Sequence, residues 1–192
     1  VGANFISGGV GGFTQSASTL LDVTGNIDLS HNGAVSLAGQ AQADIGFTSN
    51  GAGTFAIATG GSIEAGGGVN IYHAGAITLA DDIEGLFVTL KTDATTATAI
   101  NATAAAVVTA TAGDLTLISA GGMSLANATL QENSAAHNVI LQSGNQAVTV
   151  GVVTTPGSLV STGGSTFATT AGKNLTVGGN VNLTHGGTVT LN

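Results

Sequence analysis

Short alternations of apolar and polar residues recur along the whole chain. In Val69–Tyr72 and again in Ile77–Leu79, apolar side chains occupy every second position. This period of two predicts short β-strands with one buried and one exposed face. The Gly-rich or polar stretches between them are a few residues long, too short for a crossover helix. The pattern therefore predicts an all-β chain whose strands turn corners at intervals of about eight residues.

The alternation belongs to an internal repeat. Three stretches are copies of one another without a gap, at shifts of 42 and 112 positions: 12–38, 54–80 and 166–192. The repeat blocks that contain them are 5–46, 47–88 and 159–192. A block of 42 residues is too long for one hairpin and predicts two coils of a β-solenoid, each about 20 residues long. Residues that align between blocks are then expected to stack along the solenoid axis.

The remaining residues, 89–158, diverge from the repeat but keep its strand pattern. Leu115–Leu117 followed by Met123–Leu125 keeps the eight-residue step, and Val139–Leu141 followed by 147–150 predicts another pair of strands. Interleaved Thr and Val in 91–112 favour extended structure, with a loop or widened corner near Thr92–Thr96. We therefore expect a single continuous β-solenoid over 1–192, of roughly nine coils, with a possible loop insertion within 89–158.

Charge and composition exclude several classes of partner. The chain has two lysines, no arginine and a formal net charge of −8. Nucleic acid is not expected as a partner, because phosphate binding depends on clustered Lys and Arg. No apolar run is long enough for a membrane span, so membrane insertion is not expected either. The absence of cysteine excludes disulfides and thiolate metal sites.

Three histidines share one repeat position and are the first candidates for chemistry: His31, His73 and His185. If a block is two coils, neighbouring histidines of this set are about 9.6 Å apart. Ligands of one zinc ion must each lie about 2 Å from it, so these side chains are not expected to share a metal. We expect each ring to cover a corner or to bond a backbone carbonyl.

Acidic residues are the second candidates. The densest cluster is Asp81, Asp82 and Glu84, which could supply oxygen ligands to calcium. The glycine-aspartate nonapeptide of calcium-binding β-rolls is not found in the chain, so we expect a solvated loop. The other acids are scattered: Asp22, Asp28, Asp44, Glu64, Asp93, Asp114 and Glu132. A glycosidase or lyase needs paired carboxylates or a basic residue in a groove, so an enzyme is the weakest alternative. No catalytic, cofactor-binding or metal-binding residue is expected.

Asparagines suggest two further features. Asp28, Asn70 and Asn182 share a repeat position, which predicts a ladder of stacked amides on successive coils. Four Asn-x-Thr tripeptides are possible glycosylation sites: Asn101, Asn127, Asn174 and Asn182.

Four phrases share a pattern of two short alternations joined by a glycine-containing turn: Gly25–Gly39, Gly67–Ala80, Ala112–Ala126 and Gly179–Asn192. They resemble the repeats of filamentous-haemagglutinin-like large exoproteins, which are bacterial two-partner-secretion and autotransporter adhesins. The resemblance implies a right-handed parallel β-helix that forms the shaft of a long adhesin, without catalytic residues or cofactors. It also implies an extracellular or cell-surface location, with surface glycans or proteins of host or neighbouring cells as partners.

The two ends of the chain are nearly in phase with the repeat. Asn192 aligns with Ala38 and Val1 aligns with Ala43, so a second copy after Asn192 would resume the pattern with about four residues missing. Uncapped coil edges template further strand pairing. Two alternatives fit this phase: a segment of a longer solenoid, or a subunit of an extracellular filament stacked head to tail. The surface of small, weakly polar side chains also makes lateral stacking of copies a candidate contact.

Overall fold

The structure is a computed structural model that describes residues 3–192, which form strands and turns. Coils 1–3 contain β1 (Phe5–Gly9), β2 (Phe13–Gln15), β3 (Leu20–Val23), β4 (Asn26–His31), β5 (Val35–Leu37), β6 (Gln40–Ala43), β7 (Gly46–Gly51), β8 (Phe55–Ile57) and β9 (Ser62–Ala65). Coils 4–6 contain β10 (Val69–His73), β11 (Ile77–Leu79), β12 (Ile83–Gly85), β13 (Val88–Thr92), β14 (Ile100–Ala102), β15 (Val107–Ala110), β16 (Leu115–Ser119) and β17 (Met123–Glu132). Coils 7–9 contain β18 (Asn138–Ser143), β19 (Val148–Thr155), β20 (Ser158–Gly163), β21 (Phe167–Thr169), β22 (Leu175–Val177), β23 (Val181–His185) and β24 (Val189–Thr190).

The successive strands of a coil lie on three faces of a solenoid. Face 1 is a nine-stranded sheet that runs from β1 to β23. Face 2 runs from β2 to β24 and face 3 from β3 to β22, and the long strands β17 and β19 pass through the corner between them, which joins both faces into a 15-stranded sheet. Strand pairs on all three faces are parallel. The predicted all-β solenoid is confirmed, with eight complete coils and the first two faces of a ninth. Within residues 3–192, no helix is long and apolar enough to span a membrane.

The strand register explains the 42-residue repeat. Phe5 pairs with Ile27, Ile27 with Phe47, and Phe47 with Val69, so a longer coil alternates with one that is shorter by two positions. The two lengths differ at the turn from face 2 to face 3. In coils 1 and 3, the longer kind, this turn contains a left-handed residue, Ser18 (φ 60°) or Gly60 (φ 86°). The expected two-coil block is confirmed.

The divergent region forms coils 5–7. The predicted strands are present as β16 to β19, and the widened corner lies at 93–99, between β13 and β14. Val88 pairs with Leu115 and Leu115 with Val139, so coils 5 and 6 are both longer than any coil of the first two repeat blocks. The added length is in turns, while the paired strands keep their stacking.

Two kinds of coil alternate wherever the 42-residue repeat is intact. A coils (1, 3 and 8) carry a small Ser and Gly on face 1 and a Phe at the start of face 2, whereas B coils (2, 4 and 9) carry a large aliphatic residue, a His and a Val or Ile at these places. In coils 3 and 4 the pairs are Ser49 with Ile71, Gly51 with His73, and Phe55 with Ile77. In the first two pairs a large side chain therefore lies beside a small one of the neighbouring coil, whereas Phe55 and Ile77 are both large and buried.

Coils 5–7 fill the same interior with aliphatic residues of similar size. Leu90, Leu117 and Leu141 are paired along face 1 and are fully buried. The histidine position is taken by Thr92 and Ser119, whose hydroxyls accept the N–H groups of residues 94 and 121. Short polar side chains thus close these corners through local bonds.

Candidate functional site

The histidine of each B coil is bonded inside the solenoid. His73 is fully buried, with Nε2 2.9 Å from the Oγ of Ser49 and Nδ1 3.2 Å from the carbonyl oxygen of Gly53. A carbonyl can only accept, so Nδ1 carries a proton, and in the neutral ring the Ser49 hydroxyl donates to Nε2. His31 repeats the arrangement with the hydroxyl of Ser7 at 3.0 Å. Both rings therefore use both of their nitrogens.

Aromatic and backbone contacts fix the same ring. The centroids of His73 and Phe55 are 5.4 Å apart. A Cβ at Gly51, the residue paired with His73, would overlap the carbonyl oxygen of His31 and lie 3.4 Å from the His73 ring. Burial lowers the pKa of His73, and the bond to the Gly53 carbonyl offsets part of that effect. The expectation that these rings bond a backbone carbonyl is confirmed for His31 and His73.

The third copy lies on the last coil and is less enclosed. His185 Nε2 is 2.9 Å from the Oγ of Ser161, and its ring centroid is 5.4 Å from that of Phe167. Burial also lowers the pKa of His185. Within residues 3–192, no group of three or more His, Cys, Asp or Glu side chains is arranged to hold a metal ion.

The acidic cluster of coil 4 bonds to neighbouring coils. Asp81 accepts the N–H of Gly60 in coil 3 at 2.7 Å, and Asp82 accepts the N–H of Val107 in coil 5 at 2.7 Å. Glu84 lies in β12 rather than in the expected loop, with its side chain exposed. The two aspartates therefore stabilise the corner by satisfying backbone donors.

One of the acids described above as scattered, Glu132, is unexpectedly buried. Glu132 is fully buried at the end of β17. Its Oε2 accepts the hydroxyl of Thr155 at 2.8 Å, and its Oε1 accepts the N–H of Ser134. Thr155 Oγ1 in turn accepts the N–H of Gly157. This chain of bonds connects the corners of coils 6 and 7. Its only sequence signal was an acid at the end of an alternating strand.

The predicted amide ladder is wrong. Thr48 pairs with both Asp28 and Asn70, so threonine separates the two positions on successive coils. The shared repeat position recurs on every second coil, which is too far for direct amide bonding. The Asn-x-Thr asparagines are dispersed: Asn101 is partly buried in β14, Asn127 donates to the Ala102 carbonyl, and Asn174 and Asn182 are exposed.

Charge is unevenly distributed along the solenoid. Nine of the ten acids and Lys91 precede residue 115, whereas Glu132 and Lys173 are the only charged Asp, Glu, Lys or Arg residues after it. The formal charge is therefore −8 for residues 1–114 and zero for residues 115–192. Lys91 lies over the ring of Tyr72, with Nζ 4.7 Å from the centroid. The Tyr72 hydroxyl donates to Asp93, and that bond raises the pKa of Tyr72.

Comparison with known proteins does not assign the chain to a family. The structure shows a parallel β-solenoid built from repeats, and the polar bonds described above lie within it. No protein-family model, curated protein or solved structure matches this chain.

Proposed function

We propose that the chain is a structural, non-catalytic segment of a secreted or cell-surface bacterial repeat protein and acts as an adhesin shaft. The observation that carries the proposal is the unbroken nine-stranded face 1. Eight strand spacings of about 4.8 Å make a rod about 40 Å long. Each coil is stabilised by its immediate neighbours, so such a rod can be lengthened coil by coil. Its work is to span distance and present a surface.

The interior bonds support this role. The Ser49–His73 and Thr155–Glu132 bonds each join neighbouring coils, and both histidine nitrogens and both glutamate oxygens are used there. The phrases that resemble exoprotein repeats also fall on one structural unit, the passage from face 1 to face 2. In the second block that unit is β10 and β11, and in the last block it is β23 and β24.

A self-assembling filament stacked head to tail is the alternative, and it needs the last coil of one copy to fit the first coil of the next. Coil 1 is an A coil and coil 9 is a B coil. Coil 1 of a second copy would therefore follow coil 9 in the same way as A coil 3 follows B coil 2. Val181 and Val189 of coil 9 are 47% and 41% exposed and would pack against Phe5 and Phe13 of a second copy. The same fit also suits covalent continuation of the rod.

Electron microscopy of the purified chain at several concentrations tests the proposal. Monodisperse rods about 40 Å long support a shaft segment. Fibres with an axial repeat near one rod length support the filament, and Val189→Lys should then return single rods because it places a charge at the joint. Particles without a rod shape contradict both. Antibody labelling of intact source cells tests the surface location, and labelling only after lysis would contradict it.

A further inference from the structure

One edge of the rod carries a notch at the end of its acidic part. The edge is the line of turns from face 3 of one coil to face 1 of the next. The notch encloses about 420 Å³, and its main lining residues are Leu86, Phe87, Ala112, Gly113, Asp114 and His137. The turns with Phe87 and His137 are two coils apart, about 9.6 Å. The turn between them, 111–114, presents the small residues Ala112 and Gly113 and the carboxylate of Asp114 to the notch.

An aromatic ring forms one wall. Phe87 is 38% exposed, whereas Phe47, Phe55 and Phe167 are buried. A Cβ at Gly68 of the preceding coil would overlap the Phe87 ring, so the ring rests on that glycine. Because Gly68 supports the ring from one side, the other side is left to the notch.

A carboxylate lies on the middle turn, one coil after the turn of Phe87. Asp114 Oδ1 accepts the N–H of Asn138 at 2.8 Å and lies 3.7 Å from Nδ1 of His137. Both side chains are about 40% exposed, at 43% for Asp114 and 39% for His137. Within residues 3–192, no hydrogen bond uses Asp114 Oδ2. The backbone bond therefore orients the carboxylate and leaves one oxygen for a ligand.

The electrostatic field of the chain decides the sign of the charge on that ligand. The notch lies at the end of the part of the chain that carries the formal charge of −8, with Asp114 as its last acid, and no lysine or arginine lines the notch. A negative field concentrates cations at such a cleft. The Tyr72–Lys91 contact shows that this rod already accommodates a cation over an exposed ring. A guanidinium is planar, stacks on aromatic rings and matches a carboxylate with its fork of N–H donors.

We propose that the edge notch binds a guanidinium group, stacked on Phe87 and hydrogen-bonded to Asp114. The group belongs either to an arginine side chain of a basic polypeptide or to a free small molecule. The site does not depend on the shaft role, since it needs only the three neighbouring turns. It gives the rod a lateral binding point in addition to its length.

Titration of the ¹⁵N-labelled chain with N-acetyl-arginine amide at low ionic strength tests the proposal. N-acetyl-citrulline amide is the matched probe, because it has the same shape without the charge. The amide signals of Gly113, Asp114 and Asn138 are expected to shift with the arginine probe and not with the citrulline probe. Equal shifts with both probes, or shifts confined to other residues, would overturn the site.

Matched variants separate the notch from the general field. Asp114→Asn keeps the Oδ1 acceptor for Asn138 and is expected to weaken binding about tenfold. Phe87→Leu keeps an apolar wall and should also weaken binding. Asp44→Asn removes the same charge from another turn of the edge and should change affinity less than about twofold. If Asp44→Asn weakens binding as much as Asp114→Asn, the ligand is held by the field alone and the proposal fails.

A peptide probe then identifies the source of the guanidinium. Tighter binding of acetyl-Gly-Gly-Arg-Gly-Gly-amide than of the single residue supports a polypeptide partner. Equal affinity for both supports a free small molecule.

Discussion

The alternating coils 1–4 and the uniform coils 5–7 fill the same three-faced interior in different ways. In the alternating coils, Gly51 lies beside His73 and Ser49 beside Ile71. In the uniform coils, Leu90, Leu117 and Leu141 lie beside one another. The first arrangement interlocks unlike coils, and the second stacks like coils.

Coil length follows this difference. From Phe5 to Val69, the alternating coils switch regularly between one longer and one shorter length. From Val88 to Val139, the coils are longer than either and differ from each other, with the extra residues in turns. Interlocked shapes fix the position of every corner, whereas stacked aliphatic residues need only their strands in register. The interlocked coils should therefore be the ones most sensitive to single substitutions.

The largest expected effect is at the glycine below the histidine. Gly51→Ala places a Cβ on the carbonyl oxygen of His31, and backbone cannot move aside cheaply. We expect a loss of about 3 kcal/mol or more in the free energy of unfolding, measured by chemical denaturation. Gly9→Ala is the matched control, because Gly9 occupies the same column and its Cβ would meet nothing within 4 Å. Equal losses in both variants would contradict the interlock.

The uniform region has a sensitive buried polar position, Glu132. Glu132→Gln keeps one acceptor but turns an N–H₂ group toward either Thr155 or the N–H of Ser134. We expect the free energy of unfolding, measured by chemical denaturation, to fall by about 2 kcal/mol. Glu84→Gln is the control, since Glu84 is exposed and pairs with the like-charged Glu64, so its replacement should be neutral or slightly stabilising. A neutral Glu132→Gln would show that the buried bonds contribute nothing to stability.

A smaller loss is expected at the serine of the alternating pair. Ser49→Ala leaves the Nε2 of the buried His73 without its donor, at a cost of about 1–2 kcal/mol. Ser161→Ala removes the same bond to the less enclosed His185 and should cost less. The comparison of the two denaturation midpoints checks burial as the cause, and a larger loss at Ser161 would refute it.

The smallest expected effect is a dependence of the free energy of unfolding on pH. Burial lowers the pKa of His73 below its ordinary value of about 6.5. Above that pH the ring is neutral in the folded and unfolded chains. Below it the unfolded chain binds a proton that the folded chain does not, so the free energy of unfolding should fall as pH falls. His73→Gln should flatten the decline between about pH 7 and 5, a range above the ordinary carboxyl pKa values. An unchanged slope would show that His73 does not titrate as described.

The strands and the two-coil repeat were predictable because both are written as periods in the sequence. Phe55 follows Phe13 by one full repeat and Phe47 by one strand step, and both spacings reflect stacking that every coil must satisfy. The partners of the histidines were not predicted, because Ser49 lies on the preceding coil, far from His73 in the sequence. A signal existed, since Ser and Gly recur together before each histidine coil at Ser7 and Ser161.

Other features have no periodic signal. The amide ladder failed because the 42-residue alignment joins every second coil and passes over Thr48. The burial of Glu132 depends on the corner of the next coil, which brings Thr155 to it. The edge notch combines turns of different lengths from three coils, so no local pattern marks it.

Coil deletion tests the interlock most directly. Removal of residues 47–87 deletes coils 3 and 4 together and places coil 5 on a B coil, as in the native chain. Removal of residues 47–68 deletes coil 3 alone and places His73 where Gly51 had been, on top of His31. If unlike coils interlock, the larger deletion unfolds cooperatively, with a midpoint close to that of the native chain, and the smaller deletion is much less stable. Equal stability of the two variants, or a more stable single-coil deletion, would contradict it.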